Sequence, residues 1–351
     1  MNGWADGGGV ALQIAPRPAG GAPRPLPEAP RRVRVGMPQL DAGGLSEGWL
    51  LRYAGDLQWE AIAHQLGVAS DEIRGAGGER LYPTVVAARG RYAVFLVAVR
   101  ENDVLDVWVE VVLVGRACAW GRIAVSFDSG GVVSAGAVGE RVLSLELLTT
   151  FAVRERAPGT SNALKMMPPA PALAAAWAAA VPAGSPPHIS RLARAARRGE
   201  PLDDDFAGPV LARSVARQVA SPGDQGGPVS PLGAMVYEPS PYVDYNGAGL
   251  LYFASYVTIA DTAERQLVRR LGLVAGDDGD FALATSPVKR DVYYLENLPL
   301  GACLTAQLLR FDVTAHTTTS HVRLVRTDDG RRMAEVVTQR RRHASGRGGR
   351  W

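Results

Sequence analysis

The order of helices and strands predicted from this sequence occurs twice along the chain. A long apolar helix is predicted over residues 45–66 and again over about 248–271, and each is followed by about five consecutive strands. Because the strands are consecutive and do not alternate with helices, a parallel βαβ sheet is excluded. The simplest fold with this order of elements is an α+β fold in which a curled antiparallel sheet wraps around each helix. Two such units side by side could merge their sheets and hide the sheet edges.

Each predicted helix carries one apolar face. These faces consist of Leu50, Ala54, Leu57 and Ala61 in the first helix, and of Leu250, Phe253, Ala254, Val257 and Ala260 in the second. Ser46 and Glu47 suit the first turn of the first helix, and Gly55 is a candidate kink.

Runs rich in Val, Leu and aromatic residues, broken by glycine or charged turns, predict the strands. In the first half they are residues 81–88, 92–99, 104–114, 117–127 and 142–153, and in the second half 281–285, 290–295, 303–313, 321–326 and 333–340. Two short helices are predicted between the halves, over residues 172–180 and 190–198.

Composition divides the 351 residues into five parts. The first 31 positions hold six Gly and six Pro, which predicts a disordered leader. A first module over 32–156 and a second over 237–340 are joined by a Pro/Ala-rich connection over 157–236, and a disordered basic tail is predicted over 341–351.

Overall composition is that of a globular protein, with 47% apolar and 21% charged residues. The longest apolar run, residues 170–181, is shorter than the roughly 20 residues that a membrane span needs. The N-terminus has no basic segment followed by an apolar core, so no secretory signal is predicted and a cytoplasmic location is expected.

Positive charge is concentrated at the C-terminal end. The residues from Arg340 onward include five arginines and no carboxylate, whereas the net charge of the whole chain is only +3. The body of the protein is therefore near neutral, and nucleic-acid binding by it gains no support. The arginines are expected to lie in a frayed, solvated tail.

Metal and redox chemistry find little support in the sequence. Cys118 and Cys303 lie in apolar, strand-like surroundings and are expected to act as small hydrophobic residues. The five histidines show no spacing typical of metal ligands, so no metal site and no cofactor are predicted.

Several motifs resemble those of a known family. The sequence DYNGAGLLY at residues 244–252 resembles the segment that opens the central helix of hot-dog proteins. MPQL at 37–40, GLSEGWLL at 44–51, GDLQW at 55–59 and GERLYPT at 78–84 together resemble the double hot-dog acyltransferase/decarboxylase family of the leinamycin polyketide pathway. The resemblance covers roughly residues 35–156 and 235–340.

That resemblance implies a fold, a reaction and a partner. It implies a double hot-dog homodimer that decarboxylates malonyl- or methylmalonyl-CoA and leaves acetyl or propionyl on an acyl carrier protein in polyketide biosynthesis. A tyrosine essential for acyl transfer in that family corresponds to Tyr82. The motifs do not distinguish malonyl from methylmalonyl as the substrate, and they do not identify the carrier protein.

The chemistry of the predicted residues is compatible with such a reaction. A free helix N-terminus at Asn246, Gly247, Ala248 and Gly249 offers backbone N–H donors to a developing enolate oxygen, and the Asn246 side chain adds another. The alternative is that Asp244 or Asn246 only caps the helix. Asn162 is a weaker candidate for contact with the substrate carboxylate.

Tyr82 needs help to act as a nucleophile, because a phenol is mostly protonated at neutral pH. Arg80 lies two residues away on a predicted strand, hence on the same face, and could supply a cation. Whether Tyr82 becomes acylated or only donates a hydrogen bond is left open, and core packing is the structural alternative.

Other functions are compatible with the same fold. A hot-dog thioesterase would need a carboxylate to activate water, for which Glu47 and Asp244 are candidates. A dehydratase is disfavoured because position 248, where some hot-dog helices carry histidine, is Ala248. A non-catalytic module that binds acyl-CoA or a carrier protein is a further alternative, and the basic segment 190–198 could dock an acidic carrier protein.

Overall fold

The computed structural model describes residues 30–92, 95–114, 117–128, 142–154, 164–173, 188–200, 230–274 and 284–342. Several predictions fall outside these residues. They concern Asn162, nearly all of the leader, most of the helix over 172–180, most of the strand over 281–285, and the last nine residues.

The first half contains one long helix and a series of strands. In chain order its elements are β1 (Arg31–Arg34), β2 (Leu40–Asp41), β3 (Gly44–Leu45), α1 (Glu47–Leu66), β4 (Tyr82–Arg91), α2 (Phe95–Ala98), β5 (Val104–Val114), β6 (Cys118–Asp128), β7 (Val142–Arg154) and β8 (Leu164–Met166). The predicted helix and four of the five predicted strands are confirmed.

The predicted strand over residues 92–99 is wrong, because that segment contains the short helix α2. Leu96 and Val99 are both buried at i, i+3 spacing, as on one face of a helix. A short apolar run is ambiguous between a buried strand and a buried helix, and here packing against the core decided for the helix.

The second half begins with a short amphipathic helix and ends in four long strands. Its elements are α3 (His188–Arg198), β9 (Gly233–Tyr237), α4 (Phe253–Arg270), β10 (Thr285–Tyr294), β11 (Leu304–Val313), β12 (Thr317–Arg326) and β13 (Arg332–Arg342). The helix predicted over 190–198 is confirmed as α3, and the long helix is confirmed as α4 with a later start.

Helix α4 begins at Phe253, so the prediction of a start near Ala248 is wrong. The Asn246 side-chain oxygen accepts hydrogen bonds from the backbone N–H groups of Ala248 and Leu250, at 3.0 and 3.1 Å. This side-chain bonding holds the segment in a turn and competes with helix formation.

Eleven of the thirteen named strands form one antiparallel sheet shared by both halves, whereas β2 and β3 pair only with each other. The order of the large sheet is β1-β5-β6-β7-β4-β10-β13-β12-β11-β9, with β8 paired to β7. The central pair joins β4 of the first half to β10 of the second, with Ala87 opposite Tyr293 and Arg91 opposite Lys289. The predicted merging of the two sheets is confirmed.

Helices α1 and α4 pack together in the core, which the inner face of the sheet covers. All four predicted apolar positions of α1 are buried. Gly55 does not interrupt α1, which runs continuously from Glu47 to Leu66. A Cβ atom at Gly55 would lie 2.8 Å from the ring of Phe253, so glycine permits the close approach of the two helices.

Helix α3 lies on the opposite face of the sheet. Its buried residues, Ile189, Leu192, Ala193 and Ala196, pack on alternate residues of the central strands, such as Ala87 and Tyr293. Neighbours Ala88 and Val292 face the other way, toward α1 and α4. The arginines of α3 lie on its solvent-exposed side.

A buried ionic cluster joins the halves beneath the central strands. Arg290 of β10 donates two hydrogen bonds to Glu47 of α1, at 2.7 and 2.8 Å, and two to Asp261 of α4, each 2.9 Å long. Burial lowers the pKa of Arg290, but Asp261 and Glu47 outweigh this and hold it well above its ordinary value. Tyr92 completes the cluster by donating to Glu47 at 2.6 Å.

Arg340 extends the same cluster, and its assignment to a frayed tail is therefore wrong. It lies in β13, is 6% exposed, and donates to Glu264 at 3.0 Å and to Asp261 at 2.5 Å. Burial raises the pKa of Asp261, but Arg290 and Arg340 reverse this and lower it. Arg341 and Arg342 also belong to β13, so the structured chain continues beyond residue 340.

We expect Glu47→Gln to destabilise the protein by about 3 kcal/mol, because it removes one of the two carboxylates that pair with the buried Arg290 guanidinium. The matched control is Glu60→Gln, which weakens the solvent-exposed Arg31–Glu60 pair and should cost less than about 1 kcal/mol. Urea unfolding of both variants measures the difference. Equal losses would contradict the role assigned to the buried cluster.

Candidate functional site

A cavity of about 670 Å³ opens where the two central strands separate. Pairing of β4 with β10 covers Ala87–Arg91 and Lys289–Tyr293, and the strands diverge before Ala87 and after Tyr293. Helices α1 and α4, the start of β4, the end of β10 and the loop before α4 form its walls. Residues of both halves therefore line a single site.

Tyr82 and Arg80 lie on the first-module wall of this cavity. Tyr82 is the first residue of β4, and the Arg80 guanidinium lies over its ring, 5.2 Å from the ring centroid. In the described parts of the chain, the Tyr82 hydroxyl has no hydrogen-bond partner and Arg80 has no carboxylate partner. The predicted pairing of the two side chains is a stacking contact, which keeps a cation beside the phenol.

Asn246, Gly247 and Ala248 line the cavity from the second module. The Asn246 side-chain oxygen is used within the turn, which leaves its amide N–H₂ group without a partner among the described residues. The loop is tied to the chain after β10, because Asn297 exchanges two hydrogen bonds with the backbone of Leu251, at 3.0 and 3.2 Å. The donors of this loop are thus held in place.

Asp244 supports the loop from behind and does not line the cavity. It is buried, and its carboxylate accepts from the Ser240 N–H at 2.8 Å and from the Tyr237 hydroxyl at 3.2 Å. Burial, together with Asp244, raises the pKa of Tyr237 to about 12, so this phenol stays a donor. Gly249 likewise lies off the cavity wall, at a positive φ of 70° that suits glycine.

Two expectations for the site are overturned by these placements. The turn 246–249 is not a helix N-terminus, and the N–H groups of Ala248 and Gly249 donate to Asn246, so the turn offers the Asn246 side-chain amide without a helix dipole. Glu47 and Asp244, the two carboxylates considered as bases for hydrolysis, do not line the cavity. Both are engaged in hydrogen bonds elsewhere.

Sequence reasoning missed several polar residues of the wall. Gln58 of α1 is buried, donates to the Leu147 carbonyl at 3.1 Å and accepts from the Thr149 hydroxyl at 2.7 Å. Trp59, Tyr256 and Tyr294 also contribute to the wall. A glutamine near the apolar face of a helix was the available signal for Gln58.

The corresponding place in the second module is filled by the ionic cluster. The ninth and twelfth residues of α1 are Gly55 and Gln58, which line the cavity. The same positions of α4 are Asp261 and Glu264, which bind Arg290 and Arg340. Among the described residues, these helix positions therefore line a cavity in α1 and hold buried ion pairs in α4.

Two side chains of the cavity wall carry buried polar atoms without partners. These are the Trp59 indole N–H and the Tyr294 hydroxyl, which have no hydrogen-bond partner among the described residues. Burial, with a smaller contribution from Tyr256, raises the pKa of Tyr294 well above its ordinary value, so the phenol is protonated at neutral pH. Such unpaired groups cost free energy in the empty protein.

We expect Tyr294→Phe to leave the free energy of unfolding unchanged or to raise it by about 1 kcal/mol, because it removes an unpaired buried hydroxyl. Tyr92→Phe is the matched control, since the Tyr92 hydroxyl donates to Glu47 at 2.6 Å and its loss should destabilise by about 1–2 kcal/mol. Chemical denaturation distinguishes the two variants. A clear destabilisation by Tyr294→Phe would contradict the unpaired state of its hydroxyl.

Neither a metal-ligating cluster nor a membrane-spanning helix is found among the described residues. There, His, Cys, Asp and Glu side chains do not come together in groups of three or more that could hold a metal ion. None of the helices in this part of the chain combines the length and apolar character required to cross a membrane.

The sequence matches no family model and no curated protein. Solved structures nevertheless share its fold. A protein described as an oleoyl thioesterase from Lactobacillus plantarum superposes with a TM-score of 0.56 at 14% identity, covering 90% of this chain and 96% of that chain. The 12:0-ACP thioesterase from Umbellularia californica gives a TM-score of 0.54 at 9% identity, covering 89% and 96%. The predicted double hot-dog α+β fold is confirmed.

Proposed function

We propose that this protein is an enzyme that binds an acyl thioester of CoA or of an acyl carrier protein in the cavity between its modules. Two proteins that share its fold are named as thioesterases, one of them acting on an acyl-ACP. The cavity is also large enough for a short acyl group with its pantetheine chain, and polar groups from both modules face each other across it.

The reaction proposed is decarboxylating acyl transfer from malonyl- or methylmalonyl-CoA to a carrier protein. The observation that carries it is the position of Tyr82, a phenol beside the Arg80 cation whose hydroxyl has no partner among the described residues, in the same cavity as Asn246. The motif GERLYPT, which contains both Arg80 and Tyr82, supports the same reaction through its resemblance to the acyltransferase/decarboxylase family. The homodimer implied by that resemblance stays a prediction.

Decarboxylation of such a thioester depends on hydrogen-bond donors to the thioester oxygen more than on a base. When the bond between the carboxylate carbon and the α-carbon breaks, CO₂ leaves and the electron pair delocalises onto the thioester oxygen. The Tyr82 hydroxyl and the Asn246 amide are the donors proposed for this oxygen, and one such donor is typically worth about 2.7–4 kcal/mol. The α-carbon then takes up a proton.

Acyl transfer exchanges one thioester for another. The carrier thiol replaces the CoA thiol at the carbonyl carbon, either directly or after the acyl group has passed through an ester with the Tyr82 oxygen. The first route uses Tyr82 as a hydrogen-bond donor and the second as a nucleophile. In both routes the Arg80 guanidinium lies over the Tyr82 ring and keeps a cation beside the reacting groups.

Thioester hydrolysis is the second candidate, and a separate observation favours it. The carboxylates of Asp56 and Glu296 line the cavity and are exposed to solvent, so either has access to water. Glu296 is additionally within 3.5 Å of Arg331. The names of the two structural relatives point in the same direction.

Intact-protein mass spectrometry tests the proposal after incubation with methylmalonyl-CoA or malonyl-CoA and a phosphopantetheinylated carrier protein. We expect propionyl or acetyl on the carrier, with a loss of about 100-fold or more in Tyr82→Phe, which keeps the ring over which Arg80 lies. Tyr242→Phe is the matched control, because Tyr242 is 93% exposed and lies outside the cavity wall.

The other outcomes separate the alternatives. Free CoA with a free acid and an unmodified carrier would establish hydrolysis, and loss of that activity in Asp56→Asn or Glu296→Gln would identify its base. An acyl adduct on the wild-type enzyme that Tyr82→Phe lacks would establish the nucleophilic route. If the CoA ester stays intact in every reaction, the protein would be a non-catalytic binding module.

A further inference from the structure

The cavity connects the two faces of the central sheet at the point where its strands separate. Gly55, Gln58 and Tyr256 reach it from the helices on the inner face. Arg197 reaches it from α3, which packs on the outer face. The site therefore has an inner end between the helices and an outer end at the C-terminus of α3.

Arg197 is held at this outer end by the backbone around it. Arg332 of β13 donates to the carbonyl oxygens of Ala196 and Arg197, at 3.4 and 3.1 Å, which fixes the last turn of α3. The Arg197 guanidinium contacts the sulfur of Met166 at 3.9 Å. In the part of the chain that the structure describes, no carboxylate pairs with Arg197.

The surroundings of Arg197 are cationic. Helix α3 carries Arg191, Arg194, Arg197 and Arg198 on its exposed positions and no carboxylate within its length. Arg198 is neutralised by Glu200, whereas Arg331, also on the cavity wall, already pairs with Glu296 and Asp329. A cation at the opening of a cavity with no carboxylate partner favours an anionic ligand there.

We propose that Arg197 binds the phosphate of the 4′-phosphopantetheine chain that CoA and acyl carrier proteins share. The chain would then run through the gap between β4 and β10, with the phosphate at the outer end and the thioester at Tyr82 and Asn246. This inference rests on the proposed function and gives it a direction, since the thioester enters from the side of α3. Arg191 and Arg194 lie beyond the phosphate, where the body of CoA or an acidic carrier protein would be.

Equilibrium binding of three propionyl thioesters tests the contact without requiring turnover. They are S-propionyl-pantetheine, which has no phosphate, S-propionyl-4′-phosphopantetheine, and propionyl-CoA, each checked by chromatography for intact ester after the measurement. We expect the wild-type protein to bind the phosphopantetheine ester at least about 10-fold more tightly than the pantetheine ester, as one charge-assisted contact allows. Arg197→Gln should remove that preference and leave the affinity for the pantetheine ester unchanged.

Arg198→Gln is the matched control, because Arg198 is the next residue of the same helix but pairs with Glu200 and does not line the cavity. It should keep the preference, and Arg197→Lys should keep part of it. An unchanged preference in Arg197→Gln would overturn the proposal, as would equal weakening of all three esters. Loss of affinity for propionyl-CoA alone would also overturn it, because the contact would then be with the nucleotide.

The failure of this inference is distinguishable from failure of the proposed function. Tight, Arg197-dependent binding without turnover would refute the enzymatic reaction and retain the phosphate contact. Turnover together with a phosphate preference that is unchanged in Arg197→Gln would support the enzymatic reaction and refute the phosphate contact. If none of the three esters binds, both are refuted.

Discussion

The buried contact between Glu47 and Arg290 joins the two halves of this protein. Glu47 starts the central helix of the first module and Arg290 lies on the central strand of the second, so their paired hydrogen bonds set both elements against each other. Two charges withdrawn from water tolerate little displacement, because each needs the other and its remaining hydrogen bonds. In this arrangement β4 pairs with β10 in the observed register, and that register sets the position of the site.

The same cluster distinguishes the described parts of the two modules. In the second module, Asp261 and Glu264 of α4 attract Arg290 and Arg340 into the space beside the helix. In the first module, the equivalent positions are Gly55 and Gln58, which carry no charge and leave the space open. The charged residues of α4 therefore join the buried ionic cluster, whereas the equivalent residues of α1 line the cavity.

The cavity brings together the polar groups that we propose to bind a thioester. Its walls bring a phenol, a guanidinium and a side-chain amide together from both modules, through Tyr82, Arg80 and Asn246. Arg197 adds a second cation on the far side of the sheet. An arrangement with a cation at one end and donors at the other fits a ligand that carries an anion and a carbonyl separated by a flexible chain.

The sequence by itself determined the two long helices, most of the strands, their antiparallel merging and the amphipathic α3, because these follow from the local periodicity of apolar residues. It also made candidates of Tyr82 through a motif, of Arg80 through its spacing from Tyr82 and of Asn246 through an expected helix start, but it could not show that they line one cavity. The tertiary structure alone decided that Arg340 is buried, and that α4 starts after the Asn246 turn. Periodicity specifies which face of an element is buried, but partners of polar groups depend on strand register and on residues distant in the chain.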